Sequence, residues 1–129
     1  VGDAACQVKA TSGGGLYTGL VSAEECAKAL VDALESKDCS RASLSAYQKA
    51  WFERVGAEVK RGLLLHRAFA RLSDKQFETI FGLIDREDIL DIITKKGDMD
   101  YPSKIGWRLV KKEPRLLKFA SPALRALFC

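Results

Sequence analysis

Among the 129 residues there is no apolar run of the roughly 20 positions that a membrane-spanning helix needs, because charge interrupts every such stretch. Histidine occurs once, as His66, so a Cys/His nucleophile pair has a single base to draw on, and no local signature surrounds it. The four cysteines, Cys6, Cys26, Cys39 and Cys129, lie 20, 13 and 90 positions apart, which fits neither a CxxC redox pair nor a zinc ligand set. No metal site is expected. The cysteines read as small, buried apolar residues in a reducing compartment, with Cys6 and Cys26 able to meet if the chain folds back. Repeats, Pro/Ser-rich linkers and low-complexity tracts are missing too. No basic-then-apolar leader is seen, and Val1-Gly2-Asp3 does not resemble a natural start, so a fragment is expected.

What is present is ordinary for a globular domain: 47% hydrophobic and 29% charged residues, in a chain long enough to bury a real core. The net charge of +4 conceals a gradient. Residues 1–100 carry 14 basic and 16 acidic side chains, whereas residues 101–129 carry seven basic ones against Glu113 alone. In that tail Lys104, Arg108, Lys111, Lys112, Arg115, Lys118 and Arg125 alternate with Trp107, Leu109, Val110, Leu116, Leu117 and Phe119. The pattern reads as amphipathic helical pieces broken at Pro114 and Pro122. It suits either an anionic membrane surface or a solvated basic face whose apolar side packs inward. No helix-turn-helix spacing or base-stacking motif accompanies it, so no nucleic-acid role is expected.

Apolar residues at Leu16, Leu20, Ala23, Ala27, Leu30 and Leu34 follow helical spacing over residues 16–36, with Lys37-Asp38 as the exit. A second helix is predicted over residues 43–72, striped by Tyr47, Trp51, Val55, Val59 and Leu63, with Gly56 and Gly62 as weak points. Ser73-Asp74-Lys75-Gln76 has the form of a capping box. Asp85 is placed to cap a further helix bearing Ile89, Leu90, Ile92 and Ile93 that ends at Gly97. The expected fold is therefore mainly α: a short N-terminal strand and Gly-rich turn, then a helical bundle. A lone strand has no partner, so it must belong to a sheet that is not here, or fray.

The chemistry concentrates at the front. Asp3, at the end of the expected strand, offers two acceptor oxygens for a sugar or ribityl hydroxyl. Ser12-Gly13-Gly14-Gly15 lets backbone approach a planar or anionic ligand, and the helix opening at Leu16-Tyr17 presents unsatisfied N–H groups and a positive dipole end. Strand, turn, glycines and helix also describe plain connections, so spacing alone leaves the role open.

Gly2-Asp3-Ala4-Ala5, followed by Thr11-Ser12-Gly13-Gly14-Gly15-Leu16-Tyr17, resembles the second flavin-binding motif of the FAD-dependent aromatic-hydroxylase-like superfamily. Within it, residues 1–36 are most similar to the archaeal geranylgeranyl reductase family, digeranylgeranylglycerophospholipid reductases among them. The N-terminal Rossmann fingerprint and central substrate motif of that family are not in this sequence. The resemblance implies the C-terminal part of a larger α/β FAD-binding fold, with residues 1–36 ending an FAD-binding domain and residues 37–129 forming a helical region with a basic tail. It implies FAD as cofactor, with Asp3 on the ribityl chain and Gly14, Gly15, Leu16 and Tyr17 at the pyrimidine edge. The helix dipole then favours the anionic reduced flavin. The family usually has proline where this sequence has Ala10, which leaves the turn less rigid.

The same resemblance implies an isoprenoid lipid substrate, an external electron donor that the sequence does not identify, and a cytoplasmic location with peripheral membrane contact through residues 101–129. Trp51, Phe52, Phe69, Phe77 and Phe81 are candidates for lining an isoprenoid cavity, although aromatics at helical spacing are more often core. Lys60, Arg61 and Arg67 are candidates for a lipid phosphate, against a plainer reading as solvated charges. His66 reads as a partly buried structural residue, and no catalytic residue is assigned. The alternative function is a freestanding helical interaction module whose basic tail contacts a partner or membrane surface. Taken alone, the enzyme fragment is expected to bind no flavin and to expose apolar surface at its front end.

Overall fold

A computed structural model describes residues 1–120. They form α1 (Leu16–Glu35), α2 (Arg41–Trp51), α3 (Ala57–Phe69), α4 (Asp74–Ile84), α5 (Glu87–Lys96) and α6 (Pro102–Lys112). A π-helical segment, Phe52–Gly56, joins α2 to α3, and 3-10 turns span Gly2–Ala5 and Pro114–Phe119. The chain divides into two compact units, Val1–Lys60 and Arg61–Cys129. Pro122 and Cys129 lie outside the described residues.

The expected N-terminal strand is a 3-10 turn instead, and among the described residues there is no strand. Cys6 N–H donates to the Asp3 carbonyl at 2.9 Å and Gln7 N–H to that of Gly2 at 3.1 Å. Gly2 and Cys6 both take left-handed backbone angles, φ 69° and 56°, so the chain curls where a strand would need a neighbour to pair with.

In the first unit, Gln7 joins this turn to the helices. It is buried, its Oε1 accepts from Gly2 N–H at 2.7 Å, and its Nε2 donates to the Tyr47 hydroxyl on α2 at 2.6 Å. Its carbonyl accepts from Thr18 Oγ1 on α1 at 2.6 Å, and Ser22 Oγ donates to the Thr18 carbonyl at 2.6 Å. The face that α1 buries is thus small and polar: Thr18, Val21, Ser22, Glu25, Ala29 and Ala33. The apolar stripe read from the sequence points the other way, with Leu16 80%, Leu20 64% and Leu34 67% exposed. The helix exits as expected, Lys37 taking φ 55° while Asp38 N–H donates to the Ala33 carbonyl at 2.9 Å, the left-handed closure usual at helix ends.

Ser40 starts α2, its hydroxyl accepting from Ser43 N–H at 3.3 Å. The long helix expected over residues 43–72 is α2, the π segment and α3, so the weakness anticipated at Gly56 is where i→i+5 bonding ends. A Cβ on Gly56 would stand 2.8 Å from ring atoms of Trp51 and Phe52, which explains the glycine. Arg54 in the π segment bridges Glu24 at 2.7 Å and also pairs with Glu25, while Lys28 meets Glu24 at 2.7 Å and Glu25 at 3.0 Å. The ammonium and guanidinium hold the Glu24 carboxyl down to about 2, and Arg54 followed by Lys28 lowers that of Glu25.

In the second unit the Ser73–Gln76 capping box forms, Gln76 Oε1 accepting from Ser73 N–H at 2.9 Å. Asp85 closes α4 rather than capping α5; Arg86 is the residue before α5, and it makes no side-chain cap bond. The Arg86 guanidinium is instead drawn to Asp88 at 3.0 Å and to the buried Glu113 at 3.1 Å. Glu113 also receives a two-pronged contact from Arg115, Nε at 2.6 Å and Nη2 at 2.7 Å, which keeps its carboxyl down at about 2. Lys112 completes the network on Asp88 at 3.0 Å. Ile89 on α5 is fully buried. Gly97 ends α5 in an extended rather than left-handed conformation. Pro114 breaks the tail where expected, between α6 and the last 3-10 turn.

Two outcomes follow from these contacts. Folded-state pKa values below the ordinary carboxylate range mean that the Glu24–Glu25–Arg54 cluster contributes stability above about pH 4.5, and that this contribution is lost as pH falls toward about 2. Arg54→Met is expected to lower the urea midpoint at pH 7, with a difference from wild type that shrinks across that window; a pH-independent difference would contradict the pairing. Gln7→Ala leaves Gly2 N–H and the Tyr47 hydroxyl without their partner, and chemical denaturation should register a loss of about 1–3 kcal/mol.

Candidate functional site

The front turn and the start of α1 bring together the residues singled out from the sequence. Lys9 N–H donates to the Gly14 carbonyl at 3.1 Å and Gly13 N–H to the Lys9 carbonyl at 2.8 Å, closing a tight loop in which Gly13 adopts φ 68°. These two bonds hold the turn around Ala10. The loop delivers Gly15 against Asp3: a Cβ on Gly15 would stand 2.7 Å from Asp3 Oδ1 and 2.8 Å from Val8 Cγ1. Only a residue without a side chain lets the carboxylate lie this close to the helix start.

Gly15 is the residue before α1 and makes no side-chain cap bond, and the first turn of the helix holds no acidic residue. The N–H groups at a helix start have no intrahelical acceptor and carry the positive end of the dipole. Asp3, Leu16 and Tyr17 are exposed, while Gly14 and Gly15 are half-buried. The arrangement sets an acceptor carboxylate beside a row of backbone donors on an open surface. It suits a ligand that offers hydroxyls to one and an electron-rich edge to the other.

Sequence reasoning missed three neighbours. Gln7 fixes the turn from beneath, Val8 packs on Gly15, and the Lys9 stem passes over Gly14, its Cε 3.1 Å from where a Cβ would stand. No periodic pattern marks any of them, because the segment is irregular. Cys6, Cys26 and Cys39 are free thiols; against expectation Cys6 and Cys39 are exposed, and Cys26 is half-buried. Among the described residues no group of three or more His, Cys, Asp or Glu side chains is placed to hold a metal.

The aromatic candidates separate into two clusters. Trp51 and Phe52 meet edge to face at 6.2 Å in the first unit, where the buried indole N–H of Trp51 has no acceptor among the described residues. Phe69, Phe77 and Phe81 form a ladder with centroids 6.3 and 6.4 Å apart in the second. Of the five only Phe69 lines the apolar cavity of about 280 Å³ there, with Ile80, Ile84, Ile105, Leu109 and Leu116. His66 is exposed rather than partly buried, and Lys60, Arg61 and Arg67 are exposed as well. On α6, Ile105, Leu109 and Val110 face this cavity, so the apolar side of that basic helix packs inward. Lys111 lies over the Trp107 ring at 4.9 Å and Lys104 over that of Tyr101 at 3.9 Å. Among the described residues no helix is long and apolar enough to cross a membrane.

Comparison with known proteins gives this geometry a context. The chain is 34% identical over 125 residues to digeranylgeranylglycerophospholipid reductase 2 of Methanopyrus kandleri, covering 97% of this chain and 31% of that protein. It is 35% identical over 89 residues to the digeranylgeranylglycerophospholipid reductase of Methanothrix thermoacetophila, covering 69% of this chain and 23% of that one. An uncharacterized protein of Methanocaldococcus jannaschii is 36% identical over 115 residues, 86% of this chain and 28% of its own length. The chain belongs to the geranylgeranyl reductase family. It spans less than a third of the length of these curated relatives. No family profile and no solved structure matches it.

Gly15 is where the site and the family's fold can be tested together. Gly15→Ala drives a methyl group into Asp3 and Val8, and a loss of about 1–3 kcal/mol is expected. Gly82→Ala in the middle of α4, where nothing lies within 4 Å, should instead gain up to about 1 kcal/mol. Thermal denaturation of the two variants side by side checks the contrast.

Proposed function

We propose that this sequence works as part of an FAD-dependent reductase that saturates isoprenoid double bonds of membrane lipids or their precursors. The observation that carries the reading is the juxtaposition of the Asp3 carboxylate with Gly15 at the start of α1, in a chain whose named relatives are lipid reductases. In this reading residues 1–36 complete an FAD-binding domain and residues 37–129 supply a helical region. Among the described residues of the tail, the exposed Trp107 and the lysines around it are the part available to a membrane surface.

The residues present fit such a cofactor. Asp3 is acceptor-only when ionised and can take a ribityl hydroxyl. The amides from Gly15 to Tyr17 can donate to the pyrimidine edge, and the positive dipole end of α1, whose first turn itself holds no acidic residue, favours negative charge there alongside the Asp3 carboxylate. Bound and reduced, FAD supplies the hydride for double-bond reduction. What this chain contributes is orientation and electrostatic stabilisation; the Gly15 position keeps side-chain bulk out of the approach.

The test is flavin retention. In a polypeptide of the relatives' length that carries this sequence, Asp3→Ala is expected to weaken FAD binding roughly tenfold or more, the loss of a hydrogen bond to a charged acceptor. The flavin-to-protein ratio after desalting reads this directly, and unchanged occupancy would remove Asp3 from the site. The 129-residue chain alone is expected to come off the same column colourless. A yellow chain would mean that no other part of the protein is required for binding.

A further inference from the structure

Leu16, Leu20, Ala23, Ala27, Leu30, Val31 and Leu34 lie on one face of α1, within an arc of roughly 100°. All seven are exposed, the leucines and valine between 46% and 80%. None is charged, and the 20-residue helix carries them over about 30 Å. A surface helix ordinarily turns such an arc toward its core and its small and polar residues outward. Here the order is reversed: the Thr18 hydroxyl ties the opposite face to the Gln7 carbonyl, and Ser22, also buried on that face, returns its hydroxyl to the Thr18 carbonyl within the helix. A continuous apolar strip of this length marks a contact surface.

We propose that this strip is the seam along which the chain packs against the remainder of a reductase-length polypeptide, on an apolar face of the part of the family that lies outside the match. Three observations favour that occupant. The match covers 28–31% of the most extensively aligned relatives, so most of their length is available to cover the strip. The strip begins at Leu16, the first residue of α1 and a member of the Asp3–Gly15 site, so a partner docking here arrives beside the incomplete site. The acidic residue at its edge, Glu24, is already paired with Lys28 and Arg54, leaving little charge there for an ionic partner to read. The inference rests on family membership and stands independently of flavin.

The test uses the 129-residue chain alone and the same chain installed in place of the matching stretch of the Methanopyrus kandleri reductase. Leu20→Glu combined with Leu30→Glu is compared with Met99→Glu, an exposed apolar residue on another part of the chain. Expected are a monomeric isolated chain whose melting temperature the double variant leaves unchanged, and a chimera that the double variant drives out of the soluble fraction while Met99→Glu does not. Several results would overturn the proposal. A dimer of the isolated chain that the double variant dissolves assigns the strip to a second copy. Sedimentation with phosphatidylglycerol vesicles, abolished by the double variant, assigns it to lipid. A lowered melting temperature of the isolated chain makes the strip part of its own core. A chimera indifferent to the double variant, or one that fails to fold with the wild-type strip, shows that the strip does not fit this partner.

Discussion

The buried amide of Gln7 is the interaction on which the first unit depends. One side chain satisfies the Gly2 amide and the Tyr47 hydroxyl, and the backbone carbonyl of the same residue takes the hydroxyl of Thr18. Buried polar groups are tolerated only when paired, so these partners must come together at once or not at all. Their meeting curls residues 2–5, brings α1 onto α2 and sets Asp3 beside Gly15. It also fixes the rotation of α1 about its own axis. With Thr18 and Ser22 held inward, the leucines at Leu16, Leu20, Leu30 and Leu34 can only face out.

The limits of the sequence reading follow from this. Helix existence and ends were legible wherever local chemistry decides them: the Ser73–Gln76 box, the Lys37-Asp38 exit and the break at Pro114 all rest on groups a few residues apart. Gly56 was legible as a weak point, although periodicity could not say that the consequence would be a π segment. The face of α1 was not legible, because periodicity locates a stripe without saying which side of the helix is covered. The bond that holds the buried face runs from Thr18 to the carbonyl of Gln7, whose own side chain reaches Tyr47 on α2, 40 positions away. The front strand failed for a related reason. Residues 1–5 are too few to carry a period, and two left-handed backbone angles override any extended preference.

The charge gradient was legible as a gradient but not as an energy. Seven basic residues against one acid suggest an unbalanced surface. In the structure much of that charge is engaged locally: Glu113 takes both Arg86 and Arg115, Asp88 takes Lys112, and two lysines sit over aromatic rings. The apolar residues between them are occupied as well, with Ile105, Leu109 and Val110 turned to a cavity inside their own unit. An amphipathic helix can offer its apolar face to a membrane or to its own core, and α6 spends it on the core. Membrane contact through α6 therefore has to work through its rim, chiefly Trp107 and the charges beside it, rather than through an inserted face.

The two units thus dispose of hydrophobic surface in opposite ways. The second buries Ile89 and turns the apolar side of α6 toward its cavity. The first keeps its largest aliphatic side chains outside and closes on small residues and hydroxyls, an arrangement that gives up transfer free energy at every exposed leucine. Marginal stability makes such an arrangement hard to sustain unless something else covers the leucines. The glycine that admits Asp3 to the helix start and the leucine that opens the uncovered strip are adjacent, Gly15 and Leu16. A surface that covers the strip must therefore also border the site. The proposed docking surface and the proposed site therefore share a border at the start of α1.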